Sequence, residues 1–175
     1  LAAKEALAQA GLSAGNRPDM RIGSVIGVGV WGTDSVEQAY RDVFLDHKKR
    51  TEILTVPRAM PSSAAAHVSM LHCLTGPVFG VTSACASGNH AFSTALDMLR
   101  AGRADAIVAG GSDAPISYGI IKAWEAMRIL AKTGCRPFSA DREGLVLGDG
   151  AGALVLETLE SAQRRGAPIL ADCRM

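Results

Sequence analysis

VTSACASGNHAFSTALDML, residues 81–99, runs from a β-rich apolar segment straight into an amphipathic one. Gly88, Ala91, Phe92, Ala95, Leu96 and Leu99 recur at the i, i+3, i+4, i+7 spacing of one buried helix face. Cys85 therefore falls at a strand-to-helix turn. Unpaired N–H groups and the helix dipole at that place favour a thiolate and raise its usable nucleophilicity. Its neighbours Ala84, Ala86, Ser87 and Gly88 are small and leave room for a substrate beside the sulfur. The arrangement follows the logic of a nucleophile elbow with sulfur in place of oxygen. Most buried cysteines are inert packing residues, and that reading competes here. The elbow setting distinguishes Cys85 from Cys73, Cys135 and Cys173, which read as structural or incidental.

Outward from this junction the pattern keeps alternating. Residues 78–83 read as a short strand and 86–100 as a helix closed by Ala101-Gly102. Residues 105–110 read as a strand and 118–130 as a helix, and strands at 153–157 and 168–172 flank a short helix at 159–165. Toward the N-terminus, residues 1–10 read as a helix stopped by Gly11, and 21–28 as a strand entering a glycine turn. Val36, Tyr40, Val43 and Phe44 place a stripe on a helix over 34–44, and Pro61 suits the first position of the helix that follows it. Apolar runs separated by helices of this length predict one layered α/β domain with a buried, partly parallel sheet.

Composition narrows the function class. The 175 residues carry a net charge of +1, without the basic excess of a nucleic-acid binder. Hydrophobic residues make up 48% and charged residues 20%, ordinary for a globular chain, and no apolar run reaches the length of a membrane span. Abundant alanine and 19 glycines beside 5% aromatics predict helices packed closely on the sheet. The four cysteines form no C-x-x-C pair and no signal peptide is visible, which points to free thiols in the cytoplasm. His47, His67, His72 and His90 form no metal-ligand spacing, so no metal is expected. His67 and His72, on an apolar helix, read as structural. The chain opens at Leu1 inside an amphipathic pattern, as a piece of something longer would.

Gly27-Val28-Gly29-Val30-Trp31-Gly32 fits G-x-G-x-x-G after a strand and before a helix. A dinucleotide site also needs an acidic residue at the end of the next strand. Glu52 instead precedes Ile53-Leu54-Thr55-Val56, with Pro57 close behind. No cofactor is expected from this turn. The basic run from His47 to Arg50 reads as an exposed loop. Asp141, Glu143 and Asp149 lie among turn residues and make no acid–base pair, and Asp149 reads as fixing a turn.

Four motifs in order carry a resemblance: VTSACASG (81–88), VAGGSD (108–113), RPFSADR (136–142) and GLVLGDGAG (144–152). Together they resemble the β-ketoacyl-acyl-carrier-protein synthases, the condensing enzymes of fatty-acid and polyketide synthesis. The resemblance runs over nearly the whole chain and extends to synthase II; residues 112–115 with KAWEAMRIL look similar to the nodulation-type branch, while general housekeeping elongation is the assignment expected. It implies a thiolase-like layered αβαβα fold, of which residues 1–175 are the N-terminal, nucleophile-bearing part, and a cytoplasmic homodimer. It implies acyl transfer from a carrier-protein thioester to Cys85, then decarboxylative Claisen condensation with malonyl-carrier protein. Substrates arrive on the phosphopantetheine of acyl carrier protein, with no further cofactor. By the same resemblance Val30 and Trp124 match acyl-pocket positions and Arg128 a carrier-protein contact, although Trp124 also reads as a core aromatic and Arg128 as a solvated surface residue.

The family's two histidines and lysine belong to motifs of its second half and have no counterpart in this sequence, so this stretch alone is expected to be inactive. A non-catalytic dimerisation or carrier-binding partner is the alternative, though such chain-length partners usually lack the cysteine. A cysteine hydrolase would need a nearby histidine base, and none can be placed.

Overall fold

The computed structural model describes residues 1–12 and 19–173. These divide into two compact units: Leu1–Gly29, Pro61–Ser112 and Ala151–Met175 in one, Val30–Met60 and Asp113–Gly150 in the other.

The first unit is built on four strands, β1 (Ile22–Gly27), β2 (Val78–Val81), β3 (Ala106–Asp113) and β4 (Gly150–Glu157), in the order β2-β1-β3-β4. β1 runs parallel to both neighbours, with Ile26 opposite Gly80 on one side and Gly110 on the other. Every residue of β1 is buried, as is Ala106–Ala109 of β3. A parallel strand covered on both faces has no polar side to show, which is why IGSVIG and AIVA carry no alternation.

Side chains from the two faces of the sheet enter separate clusters. Val25, Ile107 and Ala109 pack with Ala91, Ala95, Met98 and Leu99 of helix α5 (Ser87–Arg100). On the opposite face, Ile22, Ala106 and Val108 meet Ala3 and Leu7 of α1 (Ala2–Gln9), while Ile26 and Val28 meet Ala65 of α4 (Ser63–His72). Ala91 and Ala95 are fully buried, so the alanine-rich face does let α5 settle close to the sheet. Burying a side chain the size of Ile107 or Val25 contributes roughly 1.5–3 kcal/mol. The predicted α5 face is the one that packs: Ala91, Ala95 and Leu99 are buried, Phe92 and Leu96 lie half-buried against them, and Met98 joins the cluster.

The two strand starts are pinned together. Arg21 donates its main-chain N–H to Asp105 Oδ2 at 2.7 Å and its guanidinium to Oδ1 at 2.8 Å. The Arg21 guanidinium, followed by its main-chain N–H, holds the Asp105 carboxyl below its ordinary value of 3.8. A depressed folded value means that this stabilisation is complete above the ordinary range and disappears as pH falls through the folded value. Asp105→Asn is thus expected to lower the Tm at neutral pH, with the gap to the parent closing as pH drops below about 4. Thermal melts of both proteins across that range check it.

The second unit contains α2 (Thr33–Tyr40), a π-helical turn at Arg41–Leu45, α3 (Thr55–Ala59) and α6 (Tyr118–Ala126). The expected helix over 34–44 changes pitch at Arg41, and this rotates its stripe. Tyr40, Val43 and Phe44 are exposed, while Asp42 is buried and accepts from Gln38 Nε2 and Lys48 Nζ, each at 2.8 Å. Residues 47–50 form the exposed loop expected of them, and Lys48 Nζ anchors that loop to Asp42. The segment after Glu52 forms α3, not a strand; Pro57 is tolerated in its first turn, where a missing N–H costs nothing.

Three further expectations are corrected. α4 starts at Ser63, two residues after Pro61. α6 stops at Ala126 instead of reaching Leu130. Residues 168–172 form no strand: they pair with none of the described residues, and Ile169 and Leu170 stay exposed. α7 (Leu159–Arg164) follows β4 as expected, and Arg165 behind it forms a buried ion pair with Glu157 at 2.6 Å.

Candidate functional site

β2 ends at Val81, yet its tie to β1 continues: Val28 N–H donates to Val81 O at 2.9 Å and Thr82 Oγ1 to Val28 O at 3.0 Å. The chain then reverses in five residues. Ala86 N–H donates to Ser83 O, and Ser87 N–H to Ala84 O. Ala84 occupies the left-handed region at φ 47°, a conformation that costs a non-glycine residue about 1–3 kcal/mol and persists only where surroundings enforce it. The enforcement comes from Ser87. Its buried hydroxyl accepts from Ser83 N–H at 2.8 Å and donates to Ala84 O at 2.6 Å, tying the turn across Cys85.

Cys85 is exposed, two residues before the first residue of α5. An isolated bridge joins Cys85 to Ser83 across the turn. The other three cysteines are also exposed, so exposure does not single out Cys85; the tied turn does. Beneath this turn lies a glycine seam. A Cβ on Gly27 would sit inside van der Waals contact with the Ser87 carbonyl and 2.6 Å from Gly88 N, and Gly111 lies against Gly88 at ordinary contact distance. The first turn of α5 rests on β1 and β3 with backbone against backbone. The G-x-G-x-x-G pattern thus serves packing: Gly27 admits the helix, and Gly32, at φ 49°, leaves no room for a Cβ beside Arg58 O and Ala59 Cα. Glu52, the acid a ribose would have required, is exposed and paired with Arg58 of α3 at 2.7 Å.

Val30, Trp124 and Arg128 belong to the second unit. Val30 is half-buried, and its N–H donates to Asp113 Oδ1 at 2.8 Å. Trp124 is half-buried on α6. Arg128 lies beyond the end of α6 rather than on it. It is exposed, at φ 57°, with its N–H on Glu125 O at 2.9 Å. A left-handed residue just past a helix end satisfies the last carbonyls, and it turns the Arg128 side chain off the helix line that the spacing predicted.

The remaining acidic residues hold main chain. Asp149 Oδ1 accepts from Ile116 N–H at 3.3 Å, so its bond reaches a segment 33 residues away and not its own turn. Glu143 accepts from the Thr133 hydroxyl at 2.6 Å, from the main-chain N–H groups of Lys132 and Thr133, and from Arg136. Those donors, Thr133 Oγ1 foremost, hold its carboxyl below the usual range. His67 is exposed on α4 and His72 half-buried, so only the second takes much part in packing. Among the described residues no group of three His, Cys, Asp or Glu side chains is placed to hold a metal ion, and no helix is long and apolar enough to cross a membrane.

Two functional positions were not legible beforehand. Ser87 had a faint signal, a hydroxyl at the first residue of a helix after a tight turn. Glu37 had none: its Oε2 accepts the N–H of Gly119, 82 residues away, at 2.8 Å.

Comparison with known proteins agrees with this architecture. The family model described as the N-terminal domain of beta-ketoacyl synthase matches residues 1–162. The chain is 55% identical over 172 residues to Nodulation protein E of Rhizobium leguminosarum bv. trifolii, covering 98% of this chain and 43% of that protein. It is 38% identical over 177 residues to 3-oxoacyl-(acyl-carrier-protein) synthase 2 of Staphylococcus aureus, with the same coverage. Among solved structures, a beta-ketoacyl synthase from Burkholderia phymatum superposes with a TM-score of 0.82 at 30% identity, over 95% of this chain and 42% of that one. A type II PKS ketosynthase, bound to the hexaketide and in complex with its acyl-carrier protein, superposes at 0.75 and 29% identity, over 85% and 39%. The chain spans under half the length of each of these relatives.

Proposed function

We propose, from the premise that the chain belongs to the β-ketoacyl synthase family, that Cys85 is the nucleophile of a longer acyltransferase. The observation that supports this most is the tied turn, in which Ser87 braces a strained Ala84 and Cys85 is exposed at the head of α5. The thiolate attacks the carbonyl carbon of an acyl group held as a thioester on acyl carrier protein. The Cys85 N–H supplies half of the oxyanion hole for the tetrahedral intermediate. The new C–S bond forms as the old one breaks, and the phosphopantetheine leaves as a thiolate that takes up a proton. Malonyl-carrier protein then loses carbon dioxide, and the electron pair left behind as an enolate attacks the cysteinyl thioester. Cys85 departs as thiolate, and the product is a carrier-bound β-ketoacyl chain two carbons longer. The phosphopantetheine belongs to the substrates, and the chain itself requires no cofactor. Residues 1–175 form the N-terminal, nucleophile-bearing part of the ketosynthase domain, and alone they do not complete the second step, because the histidine and lysine motifs of the family lie in its other half.

Val30 and Trp124 take the acyl-pocket positions that the resemblance gives them. The higher identity to Nodulation protein E than to the synthase 2 relative supports the specialised, nodulation-type branch over housekeeping elongation. A homodimer fits β2, an edge strand whose Val78 and Phe79 are exposed and whose outer edge is open to pairing with a second copy. The free thiols suit the cytoplasm.

Mass spectrometry of the full-length protein after incubation with acyl-carrier protein tests this reading. An acyl adduct on Cys85 supports it; a folded protein with none at any chain length favours the non-catalytic carrier-binding partner instead. Arg128 would meet the acidic carrier. Arg128→Glu is expected to raise the KM for acyl-carrier protein about tenfold with kcat nearly unchanged, because a rim charge acts on encounter. Steady-state kinetics at two ionic strengths check it, since the penalty shrinks as salt screens the charge.

A further inference from the structure

α6 carries Trp124 and yet has no cap of its own. Ser117, the residue before it, is buried and extended but makes no capping bond to the helix. The N-terminal N–H groups of a helix need acceptors, and a carboxylate there also opposes the helix dipole favourably. Glu37 of α2 fills that role from another element. Its Oε2 accepts Gly119 N–H at 2.8 Å, and Arg41 Nε lies 3.4 Å from Oε1. Arg41 in turn stands over the Tyr118 ring at 6.0 Å. The Gly119 N–H, ahead of Ser117 and Arg41, holds the Glu37 carboxyl below the usual carboxylate range, so it is ionised at neutral pH. A second bond ties the same two segments of this unit: Val30 N–H to Asp113 Oδ1.

We propose that Glu37 is a positioning residue that sets acyl-chain selectivity by fixing the start of α6 relative to the Val30 segment. This rests on the assignment of Val30 and Trp124 to the acyl pocket. Trp124 stands five residues beyond Gly119, about 7.5 Å along the helix, so a loosened cap swings it as the far end of a lever. An acetyl group is too short to press on a chain-length wall, whereas a hexadecanoyl group packs against one.

The test times acyl transfer to Cys85 in the full-length enzyme, from carrier protein loaded with acetyl, octanoyl or hexadecanoyl groups. Glu37→Ala is expected to lower the hexadecanoyl-to-acetyl rate ratio about tenfold, since misplacing a contact by an ångström can cost up to about a hundredfold. Glu37→Gln keeps an oxygen acceptor of the same reach and is expected to hold the ratio within about twofold of the parent. An unchanged ratio in Glu37→Ala, or an equal fall at all three lengths that tracks a lower Tm, would overturn the proposal and leave Glu37 merely structural. No adduct on Cys85 in the parent at any length would instead remove the nucleophile assignment itself.

Discussion

Cys85→Ala is expected to abolish the acyl adduct and to lower condensation by at least about 10⁴-fold in the full-length enzyme, the scale on which covalent nucleophiles are missed. The turn explains why so small a change acts so cleanly. Cys85 is exposed, and the bonds that shape its surroundings run between Ser83, Ala84, Ala86 and Ser87, none of them through the sulfur. Alanine is therefore expected to leave the turn, the helix start and the Tm nearly unchanged while removing the sulfur proposed to carry the acyl group. Intact mass and thermal unfolding, read together on parent and variant, check this. Cys85→Ser tests the same point from another side. Its hydroxyl has the right place and the wrong acidity, so a slow residual ester is the most it can form. A Cys85→Ala protein that still accumulates one acyl group would move the nucleophile elsewhere in the chain.

Gly27→Ala is the second large effect, and it acts on position instead of chemistry. Its new methyl group would overlap the Ser87 carbonyl and sit 2.6 Å from Gly88 N, all main-chain atoms that no rotamer change can move aside. Overpacking of this kind costs about 1–3 kcal/mol where side chains can yield, and backbone against backbone puts this site at or above the top of that range. The first turn of α5 must lift from β1, carrying Ser87 and its two bonds with it. Cys85 then loses the tie that holds its turn, and a displacement near an ångström is expected to lower acyl transfer about a hundredfold. Gly88→Ala supplies the contrast. Its Cβ would find nothing nearer than Gly111 Cα at 3.8 Å, and alanine inside a helix gains roughly 0.5–1 kcal/mol over glycine. Thermal melts of the pair are expected to move in opposite directions.

The signals legible in the sequence were those whose cause is local. The period of the 86–100 helix, the unbroken apolar runs of β1 and β3, and the junction that places Cys85 all follow from residues within a few positions of each other. The misreadings have one source. The stripe at Val43 and Phe44 was drawn on an ideal helix, and one π-helical turn, with Asp42 drawn inward by Gln38 and Lys48, rotates it out to solvent. Residues 168–172 have the composition of a strand, but a strand exists only beside a partner. The G-x-G-x-x-G turn has the spacing of a phosphate cradle, and its first glycine is needed because a helix 60 residues later in the chain sits on it.

By itself, then, the sequence determined the α/β class, the strand-to-helix turn at Cys85 and, through four ordered motifs, the family. Each of these depends on spacing along the chain, which folding does not alter. Tertiary structure alone decided which groups make that turn and the start of α6 definite: Ser87 across the strained Ala84, Gly27 beneath α5, and Glu37 at the head of α6. Their partners are chosen by proximity in space, and a carboxylate capping a helix 82 residues away leaves no periodic or compositional trace.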